Sequence, residues 1–215
     1  MKDYPGILCK LINCLMHKGN AASVNDAENR ETIRVTKKFL GNEVVALDLA
    51  GYENNCPFED YAYLFEIARK ENIPYTIHAA EMGIGAHIID ALNMKPRRIG
   101  HGFQCTQNDE WLQRVVDEQI PLEVCVTSNT TSNPISYAQH PIRKLINAGA
   151  KITLSSDNII FSNTDAENEH RLLKRLGVSE EELIKTTYNS IDAAFCSDEE
   201  KAMLRKKADE FYNKN

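Results

Sequence analysis

The sequence predicts an α/β fold of parallel strands joined by helical crossovers, and three observations carry that reading. Short apolar runs alternate strictly with longer segments of helical period. Start and stop signals bracket the helical segments. Polar residues able to do chemistry gather where the apolar runs end.

The runs that read as strands are 9–15, 44–49, 75–79, 98–101, 122–126 and 151–155. Between them, 27–40, 58–71, 86–94, 108–119 and 141–148 have helical period, and 166–176, 180–190 and 198–212 follow the last strand. Asn108 reads as a cap ahead of Asp109-Glu110, Gly149 follows a helix end, and Ser179-Glu180-Glu181-Glu182 reads as a capping box. Alternation of this kind implies crossovers between parallel strands, and fits an open doubly wound sheet or a closed barrel equally well. Neither an internal repeat nor a low-complexity linker is visible, so residues 1–215 read as one domain.

Bulk properties narrow the function classes. Of 215 residues, 42% are hydrophobic and 26% charged, an ordinary globular balance. The formal net charge of -6 argues against a nucleic-acid backbone as the main partner. No apolar run approaches the roughly 20 residues that span a bilayer. Met1-Lys2-Asp3-Tyr4-Pro5 lacks a signal-peptide pattern, which points to the cytoplasm. The cysteines at 9, 14, 56, 105, 125 and 196 form no CxxC pair. They read as reduced core thiols, with Cys9, Cys14 and Cys125 inside strand-like runs.

The strand-end residues are Glu53, His78 with Glu81, His101, Ser128-Asn129, and Asp157-Asn158. In parallel α/β folds that end carries the active site, because the strand fixes position and the next loop supplies variable groups. His78 can offer an imidazole nitrogen to a metal, and Glu81 can reach an atom that the metal activates. Taken alone, a histidine there is more often a hydrogen-bonded core residue. His101 stands between Gly100 and Gly102, which leave its imidazole unobstructed. It suits an electrostatic, orienting role and equally suits a turn. Asp157 is a hard oxygen ligand, or else a helix cap or turn residue.

Five ordered motifs resemble the adenosine deaminase family: His78-Ala79-Ala80-Glu81; Arg98-Ile99-Gly100-His101-Gly102; Glu123-Val124-Cys125-Val126-Thr127-Ser128-Asn129; His140-Pro141-Ile142-Arg143-Lys144-Leu145; and Ile152-Thr153-Leu154-Ser155-Ser156-Asp157. Val44-Val45-Ala46-Leu47-Asp48-Leu49-Ala50-Gly51 is similar to the family strand that ends in a glycine lining the purine pocket. The resemblance runs from about Ile7 to the C-terminus. It implies a TIM barrel of the (β/α)8 type with about six of its eight strands present, and hydrolysis of the purine 6-amino group, adenosine to inosine, with one Zn2+. His78 and Asp157 would be metal ligands. Glu81 would protonate purine N1, His101 would hold the attacking hydroxide, and Gly51 and Asn158 would contact the purine.

Departures from the family pattern set further expectations. The family's His-x-His pair, which brings two more zinc ligands on its first strand, is not found here. We therefore expect the first two barrel strands to be missing from this chain, and the chain alone to be inactive or nearly so. A segment supplying those strands would be a partner. Asn158 stands where the family usually has a second aspartate, Tyr52 replaces an aspartate, and Ala79-Ala80 brings a methyl where glycine is usual. The competing readings are a non-catalytic remnant or assembly-dependent purine binder, and an adenine deaminase of the same barrel. An AMP deaminase would need a basic phosphate pocket, which the strand-end loops do not offer. The cytidine deaminase signature is absent.

Overall fold

A computed structural model describes residues 6–213. Met1–Pro5, read above for an export signal, lies outside the described residues. Six strands form one parallel sheet in sequential order. They are β1 (Leu11–His17), β2 (Val44–Gly51), β3 (Tyr75–Ala79), β4 (Arg98–His101), β5 (Leu122–Val124) and β6 (Ile152–Leu154). Sequential order with every neighbour parallel is the arrangement of a wound barrel wall; an open doubly wound sheet reverses its order at a switch point. The expectation of an α/β partial barrel holds.

Helices α1 (Asp26–Phe39), α2 (Ala62–Lys70), α3 (His87–Asn93) and α4 (Asp109–Asp117) make the first four crossovers. The fifth holds two, α5 (Val126–Ser132) and α6 (Ile142–Asn147). After β6 come α7 (Ile159–Ser162), α8 (Ala166–Arg175), α9 (Glu180–Ala193) and α10 (Asp198–Tyr212). The cap signals hold. Asn108 accepts from the Glu110 N–H, Ser179 and Glu182 form a capping box, and Gly149 takes a positive φ just past α6.

Leu47, Leu49, Ile77, Ile99 and Leu122 from the strands meet Leu64, Phe65, Ile88, Leu92 and Leu145 from the helices in one buried cluster. Burying each such side chain contributes roughly 1.5–3 kcal/mol. At the N-terminal ends of the strands the late helices close the layer. Arg98 donates to the Ala193 carbonyl (2.9 Å) and stacks over Phe195, and Asn189 donates to the Ile152 carbonyl (3.0 Å). No helix among the described residues is long and apolar enough to cross a membrane.

Two expectations need correction. The first strand runs two residues later than 9–15, and Cys9 and Cys14 are exposed, not core thiols. The reason is position. β1 pairs only with β2 among the described strands, and the face of it that carries Ile12 (39% exposed), Cys14 and Met16 (40%) is left exposed. Cys125 is buried as expected, and all six cysteines are free. The fifth strand is also shorter than 122–126: the chain turns helical at Val126, which places Ser128 and Asn129 in the first turn of α5.

Candidate active site

At the end of β3 the backbone turns sharply through Ala80, a non-glycine residue at φ 54°. A single carboxylate holds that turn. Glu53, 3% exposed, accepts from the N–H groups of Ala80 (2.8 Å), Glu81 (2.9 Å) and Met82, and faces His87 Nδ1 at 3.2 Å. Strain of this kind persists only where surrounding bonds over-determine it. The turn carries Glu81, whose carboxyl is pushed up to about 7. Burial is the main cause, the charges of Glu53, Asp157 and Asp48 add to it, and His78 opposes it. A carboxyl so placed can carry a proton at neutral pH and give it up.

His78, half-buried on β3, sets Nδ1 3.0 Å from the Asp48 carboxylate on β2. Burial works against its charged form, but Asp48, with Glu123 and Glu81 behind it, outweighs burial and raises the imidazole to about 9. With Nδ1 donating to Asp48, Nε2 is the nitrogen left for a metal, which would displace its proton; a carboxylate orients ligand histidines in this way. The ring lies against β4 at Gly100. A Cβ there would stand 2.6 Å from His78 Nδ1, so no larger residue fits without moving the ring.

His101 closes β4 at φ 59° and is 2% exposed. Its ring centroid is 5.0 Å from that of His78, and its Nε2 is 3.6 Å from Glu81 Oε1. Burial, then the neighbouring charge of His78, holds its imidazole well below the usual range, so it is neutral at pH 7. The Asn129 amide nitrogen lies 2.8 Å from its Nδ1, and the Asn129 oxygen is 3.2 Å from Nε2 of His140. His140 is buried, stacked on Phe103 and lowered to about 4 by desolvation. Its Nδ1 has no hydrogen-bond partner among the described residues.

Asp157 follows β6 at φ 56° and is exposed; its Oδ2 accepts from Ser128 Oγ at 2.6 Å. Asn158 caps α7 by accepting from the Phe161 N–H (3.2 Å), which leaves its amide NH2 as a donor. Gly51 ends β2 at φ 138°, and a Cβ there would lie 2.3 Å from the His17 carbonyl oxygen. The close approach of β1 therefore requires a glycine at 51 whatever binds nearby. His78, Glu81 and His101 meet directly. Asp157 joins them through α5, whose consecutive residues Ser128 and Asn129 bond Asp157 and His101.

Sequence reasoning missed two roles. Asp48 sits inside an apolar strand between Leu47 and Leu49, both buried, and a lone carboxylate there was a signal for a buried partner. Glu53 was visible as a strand-end carboxylate, but its grip on the Ala80–Met82 backbone is purely tertiary.

A catalytic zinc site commonly has three protein ligands and an open position. Here His78 Nε2 and the Asp157 carboxylate have the right chemistry, yet among the described residues no group of three or more His, Cys, Asp or Glu side chains could hold a metal ion. The described residues alone therefore fall short of a catalytic zinc set.

A sequential parallel wall with a carboxyl and two histidines at the C-terminal rim of its strands is the layout of a TIM-barrel enzyme site. The chain belongs to the adenosine deaminase family, whose model matches residues 2–211. Adenosine deaminase of Clostridium kluyveri is 34% identical over 202 residues, covering 93% of this chain and 57% of that protein. The chain thus spans little more than half the length of the curated relatives it matches. Among solved structures, adenine deaminase from Arthrobacter aurescens superposes with a TM-score of 0.83 at 26% identity, covering 99% of this chain and 64% of that one. A Burkholderia ambifaria amidohydrolase with bound Zn shares the fold, with a TM-score of 0.85 at 22% identity over 97% of this chain and 58% of its own.

Proposed function

We propose that this chain carries the acid and orienting groups of a zinc-dependent purine deaminase that converts adenosine and water to inosine and ammonia. The observation that carries the reading is the approach of Glu81 to His101, 3.6 Å between a carboxyl raised to about 7 and a neutral imidazole. In this reading protonated Glu81 gives its proton to purine N1, which leaves C6 electron-poor. His101 Nε2–H holds the oxygen of the attacking water. The water gives up both protons as the C6–O bond forms: one passes to the leaving nitrogen as the C6–N bond breaks and ammonia departs, and the other returns to Glu81, while N1 keeps the proton it received. Asn158 offers its NH2 to purine N7, and the Gly51 backbone meets the purine edge.

His78 and Asp157 would be zinc donors, and the set needs at least one more from outside the described residues. The open edges of β1 and β6 are where two further strands would pair, and the exposed face of β1 is one that they would help to enclose. Residues 1–215 then act as one barrel domain, inactive until such a segment, with its His-x-His pair, is supplied.

The test assays the chain alone and mixed with the N-terminal barrel segment of the Clostridium kluyveri relative. We expect no ammonia from the chain alone, and turnover with one zinc per complex in the mixture. A zinc-loaded complex that releases ammonia from neither adenosine nor adenine would overturn the reading. Adenine is the second substrate to test, because the likeness to an adenine deaminase covers 99% of this chain.

A further inference from the structure

We propose that Glu169 is a positioning residue: it holds the first turn of α5, and through that turn aims Ser128 at Asp157 and Asn129 at His101. The proposal deepens the deaminase reading and rests on it for the importance of those two groups.

Glu169 lies on α8 with no exposed surface. Its carboxylate accepts from the Thr127 N–H (3.2 Å), the Thr127 hydroxyl and the Thr164 hydroxyl (2.8 Å). No lysine, arginine or histidine pairs with it among the described residues. A buried carboxylate without a cation is costly, and it persists here only because three donors converge on it.

What it holds could not hold itself. α5 is seven residues long, reads Val-Thr-Ser-Asn-Thr-Thr-Ser, and has no side-chain N-cap. All of these are modest helix formers, and a helix this short is marginal without outside contacts. The Thr130 and Thr131 hydroxyls also turn back to the Thr127 carbonyl, competing with the helix ladder. Thr127 precedes Ser128 and Asn129 directly, so a carboxylate that fixes its N–H and hydroxyl fixes the residues facing Asp157 (2.6 Å) and His101 (2.8 Å). Thr164, on the connection from α7 to α8, ties the same carboxylate to the segment that follows Asp157.

The experiment uses the 215-residue chain and reads position rather than turnover. Ring 15N resonances report the tautomer and hydrogen bonding of His101, and amide hydrogen exchange reports α5. Glu169→Ala is expected to shift the His101 ring signals and to speed α5 exchange about tenfold or more. Glu169→Gln, which keeps shape and an acceptor, should restore most of both. Thr127→Val removes one donor at nearly constant volume, and serves if Glu169→Ala does not fold. Leu173→Ala unpacks the same helix while removing none of these hydrogen bonds; it should lower the melting temperature and leave the His101 signals in place. The proposal is overturned if Glu169→Ala and Thr127→Val leave His101 and α5 unchanged, or if Leu173→Ala moves them equally. A complemented wild-type complex that does not deaminate, with the His101 shift intact in the variants, sinks the deaminase reading and supports this one.

Discussion

The amide nitrogen of Asn129 lies 2.8 Å from Nδ1 of His101, so Nδ1 accepts and the ring proton sits on Nε2, the nitrogen that faces Glu81. His140, neutral and buried, backs the amide from its other end and keeps that orientation.

Asn129→Asp replaces the donor with an acceptor. It should move the His101 proton to Nδ1 or protonate the ring fully, leaving the attacking water misaligned. We expect kcat of the complemented enzyme to fall roughly 10²-fold, with KM for adenosine little changed. Unchanged kcat would remove Asn129 from the machinery.

Glu81→Gln keeps the shape but has no acidic proton. Deamination should drop at least ~10²-fold while zinc content, read by elemental analysis, stays at the wild-type level. In the unsubstituted enzyme, kcat should fall as pH rises through about 7, because the acid form of Glu81 is lost there.

Gly100→Ala places a methyl 2.6 Å from the His78 ring nitrogen, so the imidazole must leave its seat against β4. Overpacking of this kind costs about 1–3 kcal/mol, measurable as a lower urea midpoint. The same variant should bind zinc more weakly in the complex, since its ring no longer sits against Asp48.

The pH dependence of stability should carry the mark of His78. Its folded value is raised to about 9 from an ordinary 6.5, so the protonated form facing Asp48 contributes stability that is full below 6.5 and lost as pH rises through about 9. Glu81, raised from 4.5 to about 7, opposes folding increasingly between those values and uniformly above them. The window from pH 7 to 8 therefore reads His78 ahead of the thiols of Cys14, Cys105, Cys125 and Cys196, whose folded values are raised and which oppose folding only as the unfolded thiols ionise nearer pH 9. Asp48→Asn should flatten the decline in melting temperature across that window; an unaltered slope would show that the pair is not its source.

Glu53→Ala strips a buried acceptor from three backbone N–H groups. A loss of about 2–4 kcal/mol is expected by urea denaturation, along with a mobile Glu81 that no longer supports turnover.

The alternation of strands and helices was legible in the residues alone, because apolar period is a local property of the chain. It also placed His78, Glu81, His101 and Asp157 at strand ends, where parallel folds keep their chemistry. What those residues face is set by contacts between segments far apart in the chain. Whether Cys14 is core or surface depends on what lies beside β1, not on the apolar run that contains it. Val126 to Ser132 is helical although its residues favour strand or turn, because Glu169, forty-two positions beyond Thr127, supplies the bonds that local propensity does not. The Asp48 partner of His78 and the Glu53 grip on Ala80 are likewise contacts between distant segments. Periodicity along the chain records which face is apolar. It does not record which distant carboxylate will satisfy a buried donor, since that pairing exists only once the sheet has formed.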